Sequence, residues 1–354
     1  MASDRDDARQ LQALVLDACH AKRRLRLIGS NSKGFYGRVA EGETLSLSDH
    51  RGVVSYAPTE LVITARGGTP LVEIERLLAE KGQMLPFEPP HFNGGGTIGG
   101  AVAAGLSGPR RPWGGAPRDL LLGIKLLDGR GRILNFGGQV MKNVAGYDLS
   151  RLMAGALGTL GILLEVSVKV LPKPPQEHTL MFFSEDRNPW RVMRDLLGKA
   201  IPITATCSQG KRHKLRLACN KRRLKQIQTT HGLETIENQQ EFWQALRDQE
   251  LDFFQCKAPL WRISLPPAAV LDPGNETLNE WANAQRWLVS ERPAEEIRAL
   301  AEEQAGHATL FRYGDRSDEL FHPLQPRLAE IQRQLKQVFD PNGIFNPGRH
   351  YSHY

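Results

Sequence analysis

The chain has 354 residues, 40% of them hydrophobic and 24% charged, with a formal net charge of +7. That length allows two domains with sizeable cores, and that balance excludes a disordered or collagen-like chain. No apolar run is long enough to span a bilayer, the charged start Ser3-Asp4-Arg5-Asp6-Asp7 lacks the apolar core of a signal peptide, and the surplus of cations favours anionic partners.

In chain order, residues 11–24 read as a helix with Leu11, Leu14, Val15 and Ala18 on one face. Residues 25–28 read as a strand that breaks at a polar turn, residues 29–34. Strand-like runs follow at 44–47 and 61–65. Thr69 is placed to cap a helix with Pro70 at its first position, Leu71, Ile74, Leu77 and Leu78 as the buried stripe, and Gly82 as the stop. Residues 120–127 read as a strand, residues 128–131 as a hairpin turn, and 133–136 and 162–170 as further strands. Pro172, Pro174 and Pro175 mark a boundary. Beyond it glycines thin out and charge rises. Helical patterns lie at 239–249, 280–288 and 294–305, strands at 179–183 and 260–265, and a last helix at 324–339.

Residues 92–108 concentrate glycine and then small apolar residues without a charge. Glycine lets backbone lie directly against a ligand, and a run of backbone N–H groups opening onto a helix suits a pyrophosphate. A dinucleotide is the expected ligand. Gly94, Gly96 and Gly99 formally match G-x-G-x-x-G, but a proline-rich stretch, residues 86–90, enters the motif where a nicotinamide-binding unit needs a strand. A nicotinamide site and a purely structural turn stay open alternatives here.

The wider pattern is more specific. A strand meets residues 29–34, and Gly68-Thr69-Pro70-Leu71 opens a helix. Thr97-Ile98-Gly99-Gly100, Gly105 and Gly108-Pro109-Arg110 come next. Residues 140–149, Gly158-Thr159-Leu160-Gly161-Ile162 and Asn346-Pro347-Gly348-Arg349 complete the series. In this order they resemble the FAD-binding oxidoreductases of the vanillyl-alcohol oxidase (PCMH) type. The segments 29–33, 58–66, 107–113, 140–153, 260–266 and 342–349 are similar, within that superfamily, to the family of glycolate oxidase FAD-binding subunits. The resemblance runs nearly end to end, closest across 25–172 and at the tail.

It implies an α+β fold: a PCMH-type FAD-binding domain of two α+β subdomains over residues 1–172, an α+β cap domain over 173–320, and a C-terminal helix and tail, 321–354, returning to the FAD domain. It implies noncovalent FAD, since residues 29–37 contain neither histidine nor cysteine for a covalent link. Two backbone loops would surround the pyrophosphate, the first of Gly29, Ser30, Asn31, Ser32, Lys33 and Gly34, the second of Gly96, Thr97, Ile98, Gly99 and Gly100. Pro89, Gly105, Ser107 and Gly108 would lie along the ribityl chain and ring. Gly158, Thr159, Gly161, Ile162 and Asn346 would complete the site. Lys142, Tyr147 and Asp148 would support a third cofactor segment, or simply anchor it.

The implied reaction is oxidation of glycolate or related small 2-hydroxy acids. It needs a carboxylate clamp and a base beside the flavin. Arg262 is the candidate clamp. His307 and His322 are fragments of the histidine set found in related 2-hydroxy-acid enzymes, and no metal is expected. Cys19, Cys207, Cys219 and Cys256 form no CxxC pair and have no zinc or cluster spacing, so they read as free thiols. Electrons would then leave through an iron–sulfur partner subunit, with a homologous FAD-binding catalytic subunit in the same complex. A flavin-binding subunit devoted to assembly or electron relay remains the alternative. The expected location is cytoplasmic, with peripheral attachment to the inner face of the cell membrane open through the complex. The basic run over residues 211–225 lacks the interleaved aromatics of a nucleic-acid site and reads as a solvated helix face or a docking face for an acidic partner.

Overall fold

The computed structural model describes residues 4–93, 95–138, 148–184, 189–231, 233–236, 239–270 and 277–353. Gly94, Lys142 and Tyr147 lie outside the described residues. Helices and antiparallel sheets make an α+β architecture that divides into two units. The first comprises Met1–Leu106, Ala116–Lys173 and Arg316–Tyr354; the second comprises Ser107–Gly115 and Pro174–Asp315.

The first unit is built on a five-stranded antiparallel sheet in the spatial order Val53–Ala57, Val62–Arg66, Ile162–Lys169, Leu121–Leu127, Ile133–Gly137. The central strand, Ile162–Lys169, is buried along most of its length. Its Val166 and Val168 join a core with Leu71, Ile74 and Leu78 of the Leu71–Ala79 helix and with Ile98, Ala101 and Val102 of the Ile98–Ala104 helix. Its Ile162 and Leu164 join a second core with Leu11, Val15 and Ala18 of the Ala8–His20 helix. The spacing of three to four residues along each helix sets its apolar side chains on one face, toward these cores.

Leu25–Ile28 pairs in parallel with Glu43–Ser46, and Leu25 also bridges Phe345 in the tail. The tail follows the Pro326–Phe339 helix and is fixed by one buried cation. Lys336 Nζ donates to Asp340 Oδ2 at 2.7 Å, to the Thr159 carbonyl at 2.7 Å and to the Phe345 carbonyl at 2.9 Å. Asp340 in turn accepts from the Ile344 N–H at 3.0 Å and the Phe345 N–H at 2.8 Å. Burial pulls the Lys336 ammonium below the usual lysine range, and Asp340 opposes the fall.

The second unit is an eight-stranded antiparallel sheet. Its order is Glu234–Thr235, Glu177–Phe183, Arg212–Ala218, Ile203–Gln209, Thr277–Glu280, Gln285–Val289, Leu260–Ser264, His307–Arg312.

Three local expectations are corrected. Residues 280–288 form no helix. They supply the hairpin between Thr277–Glu280 and Gln285–Val289, with Trp281, Ala282 and Asn283 all at positive φ. Glu280 accepts from Gln285 Nε2 at 3.1 Å and Trp287 Nε1 at 2.6 Å, so pairing on both flanks outweighs the helical spacing of the apolar residues. Thr69 does not cap the next helix. Its hydroxyl accepts from the Gly52 N–H at 2.9 Å and donates to the Arg66 carbonyl at 2.7 Å, while extended Pro70 occupies the cap position. The basic run is not one helix face: Arg212–Ala218 is an interior strand, with His213 and Arg216 buried, and Lys221–His231 is a separate helix.

Two histidines in the first unit are held neutral. His50 accepts from the Asp7 N–H and donates to the Leu164 carbonyl, each at 3.0 Å, and burial lowers its pKa. Burial beside Phe321 and Tyr351 pushes His350 down to about 4. A histidine whose folded pKa is depressed stabilises the fold above its unfolded value, about 6.5, and that contribution is lost as pH falls toward the folded value. Unfolding midpoints are therefore expected to fall between about pH 6.5 and 4, less steeply in His350→Phe; an unchanged slope would refute the assignment. The buried pair makes a second expectation. Asp340→Ala should cost about 3–5 kcal/mol in denaturant unfolding because it strands a buried ammonium, whereas Glu80→Ala, at the exposed Arg76–Glu80 pair, should cost under about 0.5 kcal/mol.

Candidate functional site

Two adjoining cavities of the first unit share Leu27, Ile28, Gly29, Thr97, Gly100, Ala103 and Leu157 as walls. One, of about 580 Å3, is mostly apolar, with Leu47, Met153, Ala156, Leu160, Ile162 and Leu163 completing it beside Gly99, Gly158, Gly161 and Asn346. The other, of about 520 Å3, is polar at one side, where Ser30, Asn31, Ser32, Lys33, Gly34 and Arg349 stand. Among the described residues no carboxylate lines either one, so Lys33 and Arg349 set a positive potential at the polar side.

The loop that forms the polar side turns sharply at Asn31, whose φ is +59°. Asn31 lies over Gly34, where a Cβ would come within 2.7 Å of its Oδ1. Arg349 holds the loop from the tail, its Nη2 donating to the Tyr36 carbonyl at 2.9 Å and the Lys33 carbonyl at 3.2 Å. Burial brings the Arg349 pKa down to about 10, with Arg26 and Arg316 nearby adding to the fall. Asn346 fixes the other wall: its Oδ1 accepts from the Leu27 N–H and its Nδ2 donates to the Leu157 carbonyl, each at 2.7 Å.

The glycine run acts differently from its expected role. At the start of the Ile98–Ala104 helix the N–H groups are used internally: Ile98 donates to the Thr69 carbonyl and Gly99 to the Gly67 carbonyl, each at 2.9 Å, and Gly100 to Thr97 Oγ1 at 3.2 Å. Among the described residues, the backbone N–H groups of Ser30, Asn31 and Ser32 have no backbone acceptor. The donor set that fits a pyrophosphate is thus the 29–34 loop, with the 97–100 segment serving as wall. Gly99 is required by close packing, since a Cβ there would stand 2.8 Å from the Gly67 carbonyl oxygen. At Gly100 the nearest atom to an added Cβ is Thr97 Oγ1 at 3.0 Å. Gly29 abuts Thr97, and Gly158, at φ +72°, abuts Asn346 Nδ2 at 2.8 Å.

The remaining expected cofactor residues do not line these cavities. Ile98 is in the core, Pro89 is buried, and a Cβ on Gly96 would meet Leu71. Gly105 ends its helix in the left-handed conformation against Gly155. Thr159 turns its hydroxyl to the Ala156 carbonyl at 2.7 Å, and Lys336 takes its own carbonyl. Ser107 and Gly108 belong to the second unit, where the Gly108 carbonyl accepts from Trp281 Nε1 at 3.1 Å. Asp148 accepts from Ser150 Oγ at 3.1 Å and pairs with Arg151 at 2.7 Å, a local brace.

Arg262 lies mid-strand in the second unit, its guanidinium 5.9 Å from the Trp281 ring, with Arg111 over the same ring at 4.6 Å. His307 is exposed at the start of the edge strand His307–Arg312 and pairs with Ser264. His322 belongs to the first unit and gives its backbone carbonyl to the Tyr351 hydroxyl at 3.0 Å. Among the described residues no group of three or more His, Cys, Asp or Glu could hold a metal ion. Arg349 was not among the expected site residues, although the Asn-Pro-Gly-Arg string that carries it was visible in the sequence.

The FAD binding domain family matches residues 6–137, and the C-terminal domain family of FAD linked oxidases matches residues 315–350. The chain is 46% identical to the glycolate oxidase subunit GlcE of Escherichia coli over 353 residues, 99% of each chain. It is 34% identical to the glycolate oxidase subunit GlcD of Bacillus subtilis over 167 residues, 46% of this chain and 35% of that one. In fold it is similar to p-cresol methylhydroxylase, with a TM-score of 0.72 at 15% identity over 97% of this chain and 87% of that one.

Side-chain volume at two cavity positions separates cofactor retention from folding. Gly100→Val is expected to cut retained flavin at least about tenfold, read as absorbance per protein after gel filtration, with far-UV circular dichroism unchanged. Gly99→Val is expected to lower the unfolding midpoint as well. Full flavin content in Gly100→Val would exclude these cavities as the cofactor site.

Proposed function

The chain belongs to the GlcE family of glycolate oxidase subunits, FAD-linked oxidoreductases of the PCMH fold, and from that premise we propose that it binds FAD in the paired cavities of its first unit and takes part directly in oxidising glycolate to glyoxylate. The FAD assignment takes the place of the nicotinamide alternative. The observation that carries the site is the acid-free polar end of the cavities, where loop N–H groups without backbone acceptors stand beside Lys33 and Arg349.

When bound, FAD supplies a two-electron acceptor for oxidation of an alcohol carbon. Ser30, Asn31 and Ser32 would donate backbone hydrogen bonds to its phosphate oxygens. Lys33 and Arg349 would offset phosphate charge, and the apolar walls would exclude water from the rest of the cofactor. Arg262 would pair with the substrate carboxylate, an arginine having the planar donor fork that suits it. The oxidation removes two electrons and two protons from the hydroxy acid, leaving the 2-oxo acid. The electrons would pass to an iron–sulfur partner subunit of the complex, beside a homologous flavin subunit, and related 2-hydroxy acids would be further substrates. Among the described residues no helix is long and apolar enough to cross a membrane, and peripheral attachment would come through the complex.

A second reading, flavin carriage for assembly or relay without substrate turnover, draws on the placement of His307 at an exposed strand edge of the second unit, while His322 belongs to the first. Anaerobic addition of glycolate to the flavin-loaded chain, alone and then with its partner subunits, decides between the two. Bleaching of this chain's flavin is expected, with faster turnover once an iron–sulfur subunit is present. Flavin that stays oxidised in both settings leaves the relay reading, and a chain that neither copurifies with FAD nor rebinds it contradicts both.

A further inference from the structure

The second unit carries a basic groove that the cofactor and substrate readings do not use. The Lys221–His231 helix contains Lys221, Arg222, Arg223 and Lys225 and no acidic residue. Three of these cations occupy its first turn, at the positive end of the helix dipole, where cations are unfavourable. Lys221 and Lys225 also stand four residues apart, a like-charge spacing that weakens a helix. Against this helix, Lys199, Ile201, Arg223, Ile227 and His231 line a groove of about 780 Å3.

Among the described residues no carboxylate pairs with Lys199, Lys221, Arg222, Arg223 or Lys225. Arg223 spends its guanidinium on neutral acceptors, the Gln226 side chain at 2.7 Å and the Ala200 carbonyl at 2.9 Å. Burial first, then the charges of Lys199 and Arg223, holds His231 below the ordinary histidine range. The arrangement therefore costs the isolated fold stability, and an anion set into the groove would remove that cost.

We propose that this groove docks an acidic polypeptide segment of a partner protein. Charge complementarity selects the acid. The groove's wall favours a polypeptide: partly exposed Ile201 stands beside Lys199 and Arg223, which suits a chain alternating carboxylates with small apolar side chains, and among the described residues no Phe, Tyr or Trp lines it as a stacking platform for nucleotide bases. An anionic membrane fits less well, because the apolar residues of the helix, Leu224 and Ile227, are buried in the unit's own core and leave none to enter a bilayer.

The test uses the full chain and a fluorescein-labelled glutamate–leucine repeat peptide at low salt, read by anisotropy. Lys199→Glu/Arg222→Glu/Lys225→Glu, all exposed, should weaken binding at least about tenfold. Its unfolding midpoint should equal or exceed that of the wild type, since a repulsive helix start is relieved, which separates lost docking from lost folding. A charge-matched control, Lys22→Glu/Lys81→Glu/Arg327→Glu, should bind within about twofold of the wild type. Equal losses in the two variants, or none in the first, would overturn the proposal. So would tighter wild-type binding to a single-stranded RNA oligonucleotide, or to phosphatidylserine vesicles, than to the peptide.

Discussion

The Lys336 ammonium, buried beside Asp340, is bonded at once to the carbonyls of Thr159 and Phe345, on the segment that enters the central strand and in the tail. A buried charge of this kind is tolerated only when every donor is satisfied, so the three acceptors must stay in place together. Thr159 leads directly into Gly161 and Ile162, which are cavity walls, and Phe345 leads into Asn346, which fastens Leu27 and Leu157. Three residues further, Arg349 holds the loop at the polar side. The walls of the first unit thus hang on a tail distant in sequence.

This explains a division of labour among the glycines. Gly99, at the start of the Ile98–Ala104 helix, is needed because the Gly67 backbone crosses beside it. The donors that, among the described residues, have no backbone acceptor sit in the earlier loop, where Asn31 takes a left-handed conformation and Arg349 keeps the turn in place. One segment is then a scaffold for close packing and the other the polar cradle, and the cations Lys33 and Arg349 sit with the cradle.

Much of this was legible in the sequence where local physics and tertiary contact agree. The Leu71, Ile74 and Leu78 stripe forms its helix, the strands at Leu25–Ile28 and Leu121–Leu127 stand close to where alternation and turn residues put them, and Asp128 closes the hairpin by accepting from the Arg130 and Arg132 N–H groups at 3.0 and 2.9 Å. Legibility failed where partners far along the chain decide. Residues 280–288 have the spacing of a helix, yet two flanking strands and the Glu280 carboxylate make a hairpin of them. The basic run looks uniform, yet Arg216 is buried 3.5 Å from Glu177, while Lys221 and Arg222 remain exposed.

By itself the sequence determined the family and the cofactor class, because glycine, proline and small-residue spacings are demands of backbone geometry that leave a local trace. Only the tertiary structure decided which N–H groups remain unspent, that Thr159 and Ile98 turn away from the cavities, and that Arg349 belongs with Lys33. Those outcomes depend on which acceptor each donor meets across long stretches of chain, and no local pattern of residues encodes that pairing.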